Sequence, residues 1–354
     1  MRICLIASSR YPVREPFHGG MEAHTAMLAG LLVRRGHAVS VFAAPGSDPS
    51  LDVEELAVGS FEPSDVARHD VGAMPETWMQ EHHAYLGLMM DLARTGAGRF
   101  DVIHNNSLHH LPVAMSQLVD VPMVSTLHTP PVPWLESALR VSGGPSTFVA
   151  VSDHTARSWS HVVQAATVLN GVDTVRWRGG PGGGPAVWTG RLVPEKAPHL
   201  AAQAALDAGL AIDLAGPRPD GAYFRREIEP LLGDRVRYRG HLDTDELVEL
   251  VGRASVAVVS PVWDEPFGLV AAEAMSCGTP VAAFRRGGLP EIVSEQAGAL
   301  AEPGDVGALA TAMKEAIVLD RSAVRDHAVR ALGAERMATD YEDVYRRIAS
   351  DRAA

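Results

Sequence analysis

The chain has 354 residues, 46% hydrophobic and 21% charged, enough for two domains of ordinary size with buried cores. Its net charge of −12 at pH 7 opposes a general role on nucleic acid or on an anionic membrane. The two cysteines, Cys4 and Cys277, fall in segments expected to belong to different cores, and no stretch reaches the ~20 apolar residues of a spanning helix, so no disulfide is expected and a reducing cytoplasm fits.

Ile3–Ser8 reads as a buried strand: the run is short, carries one nearby arginine and has no cleavage pattern, which opposes a signal peptide. A Pro- and Gly-rich loop runs to Gly20. Met21–Arg35 then shows helical spacing at Met21, Leu28, Leu31 and Leu32 and stops at Gly36, and Val39–Ala44 is a second strand. Strand, glycine turn and helix make half of a nucleotide-binding fold. Gly19-Gly20 lacks the third glycine of a dinucleotide fingerprint and no acidic residue ends the second strand, which excludes NAD. Thr77–Thr95 sets Trp78, Tyr85, Leu86, Met89 and Leu92 at helical spacing, a pattern expected of core packing.

Asp101–His104 ends a strand and opens into the polar loop Asn105–His110, where parallel sheets bind their ligands. His104, His109 and His110 could ligate a metal, line an acceptor pocket or simply make the loop polar; no partner cluster at metal spacing accompanies them. Val121–Leu127 is a strand with His128 at its C-terminal tip, before the irregular Thr129-Pro-Pro-Val-Pro133. A histidine there can hydrogen-bond a polar group of a ligand. Phe148–Ser152 is another strand, and the Gly/Pro-rich Arg178–Pro185 reads as a linker.

Ala186–Gly190 opens the second half as a strand. Arg191 and Lys196 follow on a loop, with Pro198 near the first position of a helix, and two cations at a helix start suit a diphosphate. Ile212–Ala215 and Val236–Tyr238 are further strands. Asp243-Thr-Asp245 has the form of a metal-binding D-x-D, but Glu246 three residues after Asp243 makes it a capping box. Ser255–Ser260, a loop broken by Pro261–Asp264, a helix over Phe267–Cys277, a stop at Gly278 and a strand over Thr279–Phe284 form a βαβ unit. Glu265 lies in its loop and Glu273 two turns into its helix, about 10–12 Å apart along the axis. That is too far for one metal or one carboxylate dyad. Between them the free amides near Phe267, Gly268 and Leu269 favour a phosphate. The implied ligand carries hydroxyls, then phosphate, then hydroxyls: a sugar, a diphosphate and a ribose. A last helical region follows the turn at Glu302-Pro-Gly, and its end, Ala334–Ile348, is amphipathic.

Glu265-Pro-Phe-Gly-Leu with Glu273, then Cys277-Gly-Thr-Pro-Val and Gly287-Gly-Leu-Pro-Glu291, resemble the E-x7-E signature of the GT4 family of retaining, nucleotide-sugar-dependent glycosyltransferases. Gly19-Gly-Met-Glu22 resembles that family's GG-x-E loop, Arg191 and Lys196 its R-x4-K pair, and Asn170-Gly-Val-Asp173 the stretch that ends its first domain. The resemblance implies an α/β GT-B fold, two Rossmann-like doubly wound domains facing across a cleft. Residues 1–173 would bind the acceptor, 174–185 link, 186–335 bind the donor, and 336–354 return as a helix to the first domain. It implies a nucleoside-diphosphate sugar (UDP- or GDP-) as co-substrate, held by Gly19, Gly20, Arg191, Lys196, Phe267, Gly268, Leu269 and Glu273. His128 and Glu265 would act at the sugar, with no cofactor and no metal. No carboxylate is evidently placed on the opposite sugar face, so retention by front-face attack of a hydroxyl acceptor is expected. A phosphorylase of the same fold and a sugar-nucleotide-binding protein without catalysis are the alternatives; phosphate-dependent turnover would mark the first and binding without transfer the second. The acceptor, the sugar and the base are not legible.

Overall fold

The computed structural model describes residues 1–56, 62–142 and 146–353. Its strands form two all-parallel sheets. The first contains β1 (Arg2–Ile6), β2 (Ala38–Ala43), β3 (Val53–Glu55), β4 (Val102–Asn105), β5 (Met123–Leu127), β6 (Thr147–Ala150) and β7 (Ala165–Thr167), in the order β3-β2-β1-β4-β5-β6-β7. The second contains β8 (Ala186–Thr189), β9 (Ile212–Ala215), β10 (Val236–Tyr238), β11 (Ala257–Val259), β12 (Val281–Phe284) and β13 (Gly298–Ala301), in the order β10-β9-β8-β11-β12-β13. Parallel strands must be buried on both faces. The sequence supplies this: β11 and β12 are runs of Val, Ala and Phe, β1 is Ile-Cys-Leu-Ile after Arg2, and β4 is Val-Ile followed by a buried His104 and Asn105, with buried positions on both sides.

Strand order reverses between β1 and β4 in the first sheet and between β8 and β11 in the second. Ligands of such sheets bind beyond the strand C-termini at these switch points. Gly19-Gly20 follows β1, Asn105–His110 continues β4, His128 follows β5, Arg191 and Lys196 follow β8, and Glu265–Gly268 follows β11.

The last helix, Ala334–Ala353, packs Met337, Tyr341, Val344, Tyr345 and Ile348 into the core built on Ile3, Leu5 and Leu28 of the first sheet. Burying each such aliphatic side chain contributes roughly 1.5–3 kcal/mol. This packing also claims His104. Its ring is buried, with Nδ1 2.7 Å from the Tyr345 hydroxyl and Nε2 2.7 Å from Thr126 Oγ1. His104 is therefore a core residue tied to the last helix, not a loop, metal or acceptor group.

The Gly/Pro-rich segment before β8 is not loose. Gly182 N donates to Gly252 O (3.0 Å) and Gly184 N to Arg253 O (2.8 Å), and a Cβ on Gly180 would lie 2.3 Å from Gly252 O. Its glycines serve close backbone approach rather than flexibility. Asp243 caps the helix Thr244–Arg253 in a full capping box with Glu246, as its spacing predicted. Cys4 and Cys277 are free, buried and in separate cores.

Candidate active site

The loop after β11 is shaped by glycine. Gly268 has φ +99°, a left-handed conformation, and so the helix begins at Leu269 rather than at Phe267. The buried Phe267 ring anchors the loop in the core. A second glycine loop is pressed against the first: Gly288 N donates to Glu265 O at 2.7 Å, and a Cβ on Gly287 would fall 2.0 Å from that same oxygen. The amides of the first helical turn have no acceptor within the helix, which leaves Leu269 and Val270 donors aimed beyond the helix end.

Glu265 and Lys196 meet: Nζ lies 2.5 Å from Oε2, on side chains 24% and 12% exposed. Trp263 Nε1 also donates to Glu265 (3.3 Å), and its ring lies 5.0 Å from the Lys196 ammonium. Trp263 escaped the sequence reading because a lone tryptophan in a loop carries no signature. Arg191 is half-exposed, with only a long 3.9 Å approach to Glu195. Glu273 pairs with no cation among the described residues, and desolvation pushes its carboxyl up to about 7.

The opposite wall is the start of the first helix. A Cβ on Gly20 would lie 2.9 Å from Leu269 Cδ1, so the starts of the two glycine-preceded helices are in contact. Neither Gly19 nor Gly268, the residues before the two helices, has a side chain to cap its helix, which leaves first-turn amides of both uncapped beside the gap between them. Glu22 is buried beside this gap; burial raises its pKa and the Arg191 charge opposes that rise.

His128 is buried at the tip of β5. Asn106 Nδ2 donates to Thr25 Oγ1 (3.0 Å), so its Oδ1 accepts from His128 Nε2–H, leaving His128 Nδ1 an acceptor. Burial holds His128 well below its ordinary pKa, and it is neutral at pH 7. His24 sits 5.1 Å away, ring to ring. It is buried, its pKa is lowered to about 4, and neither ring nitrogen has a partner. His24 was not singled out from sequence; its one signal is its position one turn past Gly20, on the helix face turned inward.

Gly19, Gly20, His128, Arg191, Lys196, Glu265, Phe267, Gly268, Leu269 and Glu273 all line one cleft cavity of about 970 Å³ between the two sheets. His109 and His110 line it too, as does Trp78, whose expected core role falls instead to Ala84, Tyr85, Leu88, Met89 and Leu92 further along the helix Glu76–Arg99. The first turns of that helix overhang the cavity instead of the sheet. His82, His109 and His110 bring one nitrogen each to within 4.8 Å of the others.

Two parallel α/β sheets with their switch points facing one cleft define a GT-B fold. The family model "Glycosyl transferases group 1" matches residues 186–328 and "Glycosyltransferase Family 4" matches residues 18–176. The chain is 31% identical to glycogen synthase of Mycobacterium tuberculosis over 97% of this chain and 91% of that protein. It is 31% identical to D-inositol 3-phosphate glycosyltransferase of Saccharomonospora viridis over 85% of this chain and 82% of that one. Among solved structures, sucrose-phosphate synthase from Thermosynechococcus elongatus superposes with a TM-score of 0.77 at 22% identity, covering 99% of both chains. HepE of Anabaena in complex with UDP and glucose gives 0.73 at 19%, covering 97% of this chain and 99% of that one. The chain belongs to the GT4 family of glycosyltransferases. Among the described residues, no helix is long and apolar enough to cross a membrane.

Proposed function

We propose that the protein transfers a hexosyl group from a nucleoside-diphosphate sugar to a hydroxyl acceptor, with retention and without a metal. The observation that carries this reading is the meeting of the two helix N-termini at Gly20 and Leu269, beside Arg191 and Lys196. Together they offer amides, dipole ends and two cations to one diphosphate. Residues 186–335 hold the donor in this reading and residues 1–173 the acceptor. Glu273 takes the ribose hydroxyls. Glu265 orients the sugar, as does His128 through the bare nitrogen Nδ1. UDP in one structural neighbour and ADP in another fit a nucleoside diphosphate without choosing the base.

The C1–O bond to the diphosphate breaks first. Charge grows on the departing phosphate oxygens, where fixed amides and Lys196 already stand, and that lowers the barrier. The acceptor oxygen bonds C1 on the face just vacated, and its proton passes to the leaving phosphate oxygen. Cations and amides stand where another transferase would use a metal. Anomeric configuration followed by proton NMR in the first minutes of turnover, with EDTA present, tests this. Retention at an undiminished rate is expected. An inverted product, or activity abolished by EDTA and restored by Mg²⁺ or Mn²⁺, contradicts it.

A further inference from the structure

On the first-sheet side of the cleft, side chains from three separate segments stack into one wall. Tyr85 stacks on His109 (centroids 4.1 Å apart, planes 14°), His109 on His110 (4.3 Å, 29°) and His110 on Trp134 (4.7 Å, 30°). Trp78 closes the far end 6.1 Å from Trp134. All five line the cavity, yet Trp134 is 57% exposed, a large apolar face held open to solvent. The wall adjoins the reacting end of the site. Asn106, which bonds His128, and His109 lie three residues apart on one loop.

The stacking opposes a metal at the three imidazoles. The rings of His109 and His110 are near-parallel, at 29°, and direct their in-plane lone pairs alongside one another rather than at a common point; His82 alone is turned, 61° from His109. His109 Nδ1 is also engaged, accepting from Leu111 N at 3.2 Å, which puts the proton on Nε2. Burial and mutual repulsion hold His109 and His110 below their ordinary pKa, so both are neutral at pH 7. Arg10, whose charge acts on His109, is paired with Glu81 at 3.2 Å. The stack covers the faces of His109 and His110 with their neighbours, so the wall offers the open face of Trp134, the ring edges beside it and neutral imidazole hydrogen-bonding groups. A ring with C–H faces and hydroxyl edges matches it; a phosphorylated acceptor does not.

Resting on the glycosyltransferase reading above, we propose that the wall formed by Tyr85, His109, His110, Trp134 and Trp78 is the acceptor subsite, and that the acceptor is a neutral saccharide whose pyranose ring stacks on it. Trp78 and Trp134 supply a direct signal. Tryptophan fluorescence is titrated with neutral gluco-, galacto- and manno-oligosaccharides, and separately with myo-inositol phosphate and a hexose phosphate. Saturable quenching by at least one neutral saccharide is expected, with at least a tenfold loss of that affinity in Trp134→Ala and in His110→Ala, and recovery in Trp134→Phe. Affinity for UDP or ADP should not change in these variants. Trp134 is exposed, so its removal leaves no cavity in the core. Binding confined to the phosphorylated compounds, no saccharide binding at all, or saccharide binding unaltered in Trp134→Ala would each overturn the inference. So would tight Zn²⁺ binding that His82→Ala abolishes. Wild-type protein that hydrolyses or binds no nucleotide sugar would sink the glycosyltransferase reading itself, which is a separate result.

Discussion

The two walls of the cleft are built by different means. The wall proposed for the donor is made of backbone and short-range sequence: Gly268 at φ +99°, two glycine loops in contact, a helix N-terminus and Glu265 eight residues before Glu273. The wall proposed for the acceptor is made of side chains, brought from the helix Glu76–Arg99, the loop after β4 and the segment at Trp134. Backbone recognition of a phosphate demands fixed residues at fixed spacing. Side-chain recognition of a ring demands only that some flat groups arrive at one place. The first leaves a signature in sequence and the second does not.

Substitutions should separate the two. The largest effect is expected at Gly287, whose φ is +61° and whose Cβ would collide with Glu265 O. Gly287→Ala must move the Glu265 backbone by about an ångström or more, and misplacement on that scale can cost about 100-fold in rate. Transfer should fall at least that far, with a lower melting temperature by calorimetry. An unaltered rate would mean that the loop contact does not position the site.

Lys196→Ala should come next. A hydrogen bond to a charged group contributes roughly 1.5–3 kcal/mol, so affinity for free UDP or ADP should fall about 10- to 100-fold by isothermal calorimetry. Unchanged affinity in a folded variant would remove Lys196 from the diphosphate site.

The third effect is a pH dependence at Glu273. Its carboxyl is raised to about 7, so the ligand-free fold favours the protonated form, and this group's stabilising contribution is lost as pH rises through 7. Ribose hydroxyls donate better to the ionised form. Nucleotide affinity should therefore strengthen between pH 6 and 8, with proton release on binding. In Glu273→Gln the part of that slope due to the protein should vanish, leaving only the phosphate's own titration. A slope identical in the two proteins would rule Glu273 out as the ribose acceptor.

How much was legible follows from the same contrast. The βαβ unit over 253–293 could be read because its punctuation is Pro and Gly, although the left-handed Gly268 moved the helix start two residues onward. The strands β3, β7 and β13 were not read, because Val53-Glu-Glu, Ala165-Ala-Thr and Gly298-Ala-Leu-Ala lack the run of β-branched and aromatic residues that marks a strand. His104 shows the limit most sharply. Position at a strand end suggested a ligand, while its true partner, Tyr345, lies 241 residues away on a helix whose docking no local pattern announces. Trp78 erred in the opposite direction, being apolar in pattern and cleft-facing in fact, because the helix outruns the sheet beneath it.

The central claim is the direction of the donor, with sugar at Glu265 and ribose at Glu273. Glu265→Gln tests it most directly, with calorimetric affinity for UDP or ADP measured beside the transfer rate. In the ligand-free protein Glu265 holds Lys196 at 2.5 Å; neutralising it frees that cation for the diphosphate. The account predicts a transfer rate at least about tenfold lower, with diphosphate affinity unchanged or a few-fold tighter. Diphosphate affinity that drops as it does in Lys196→Ala would contradict the account and place the nucleotide the other way round in the cleft.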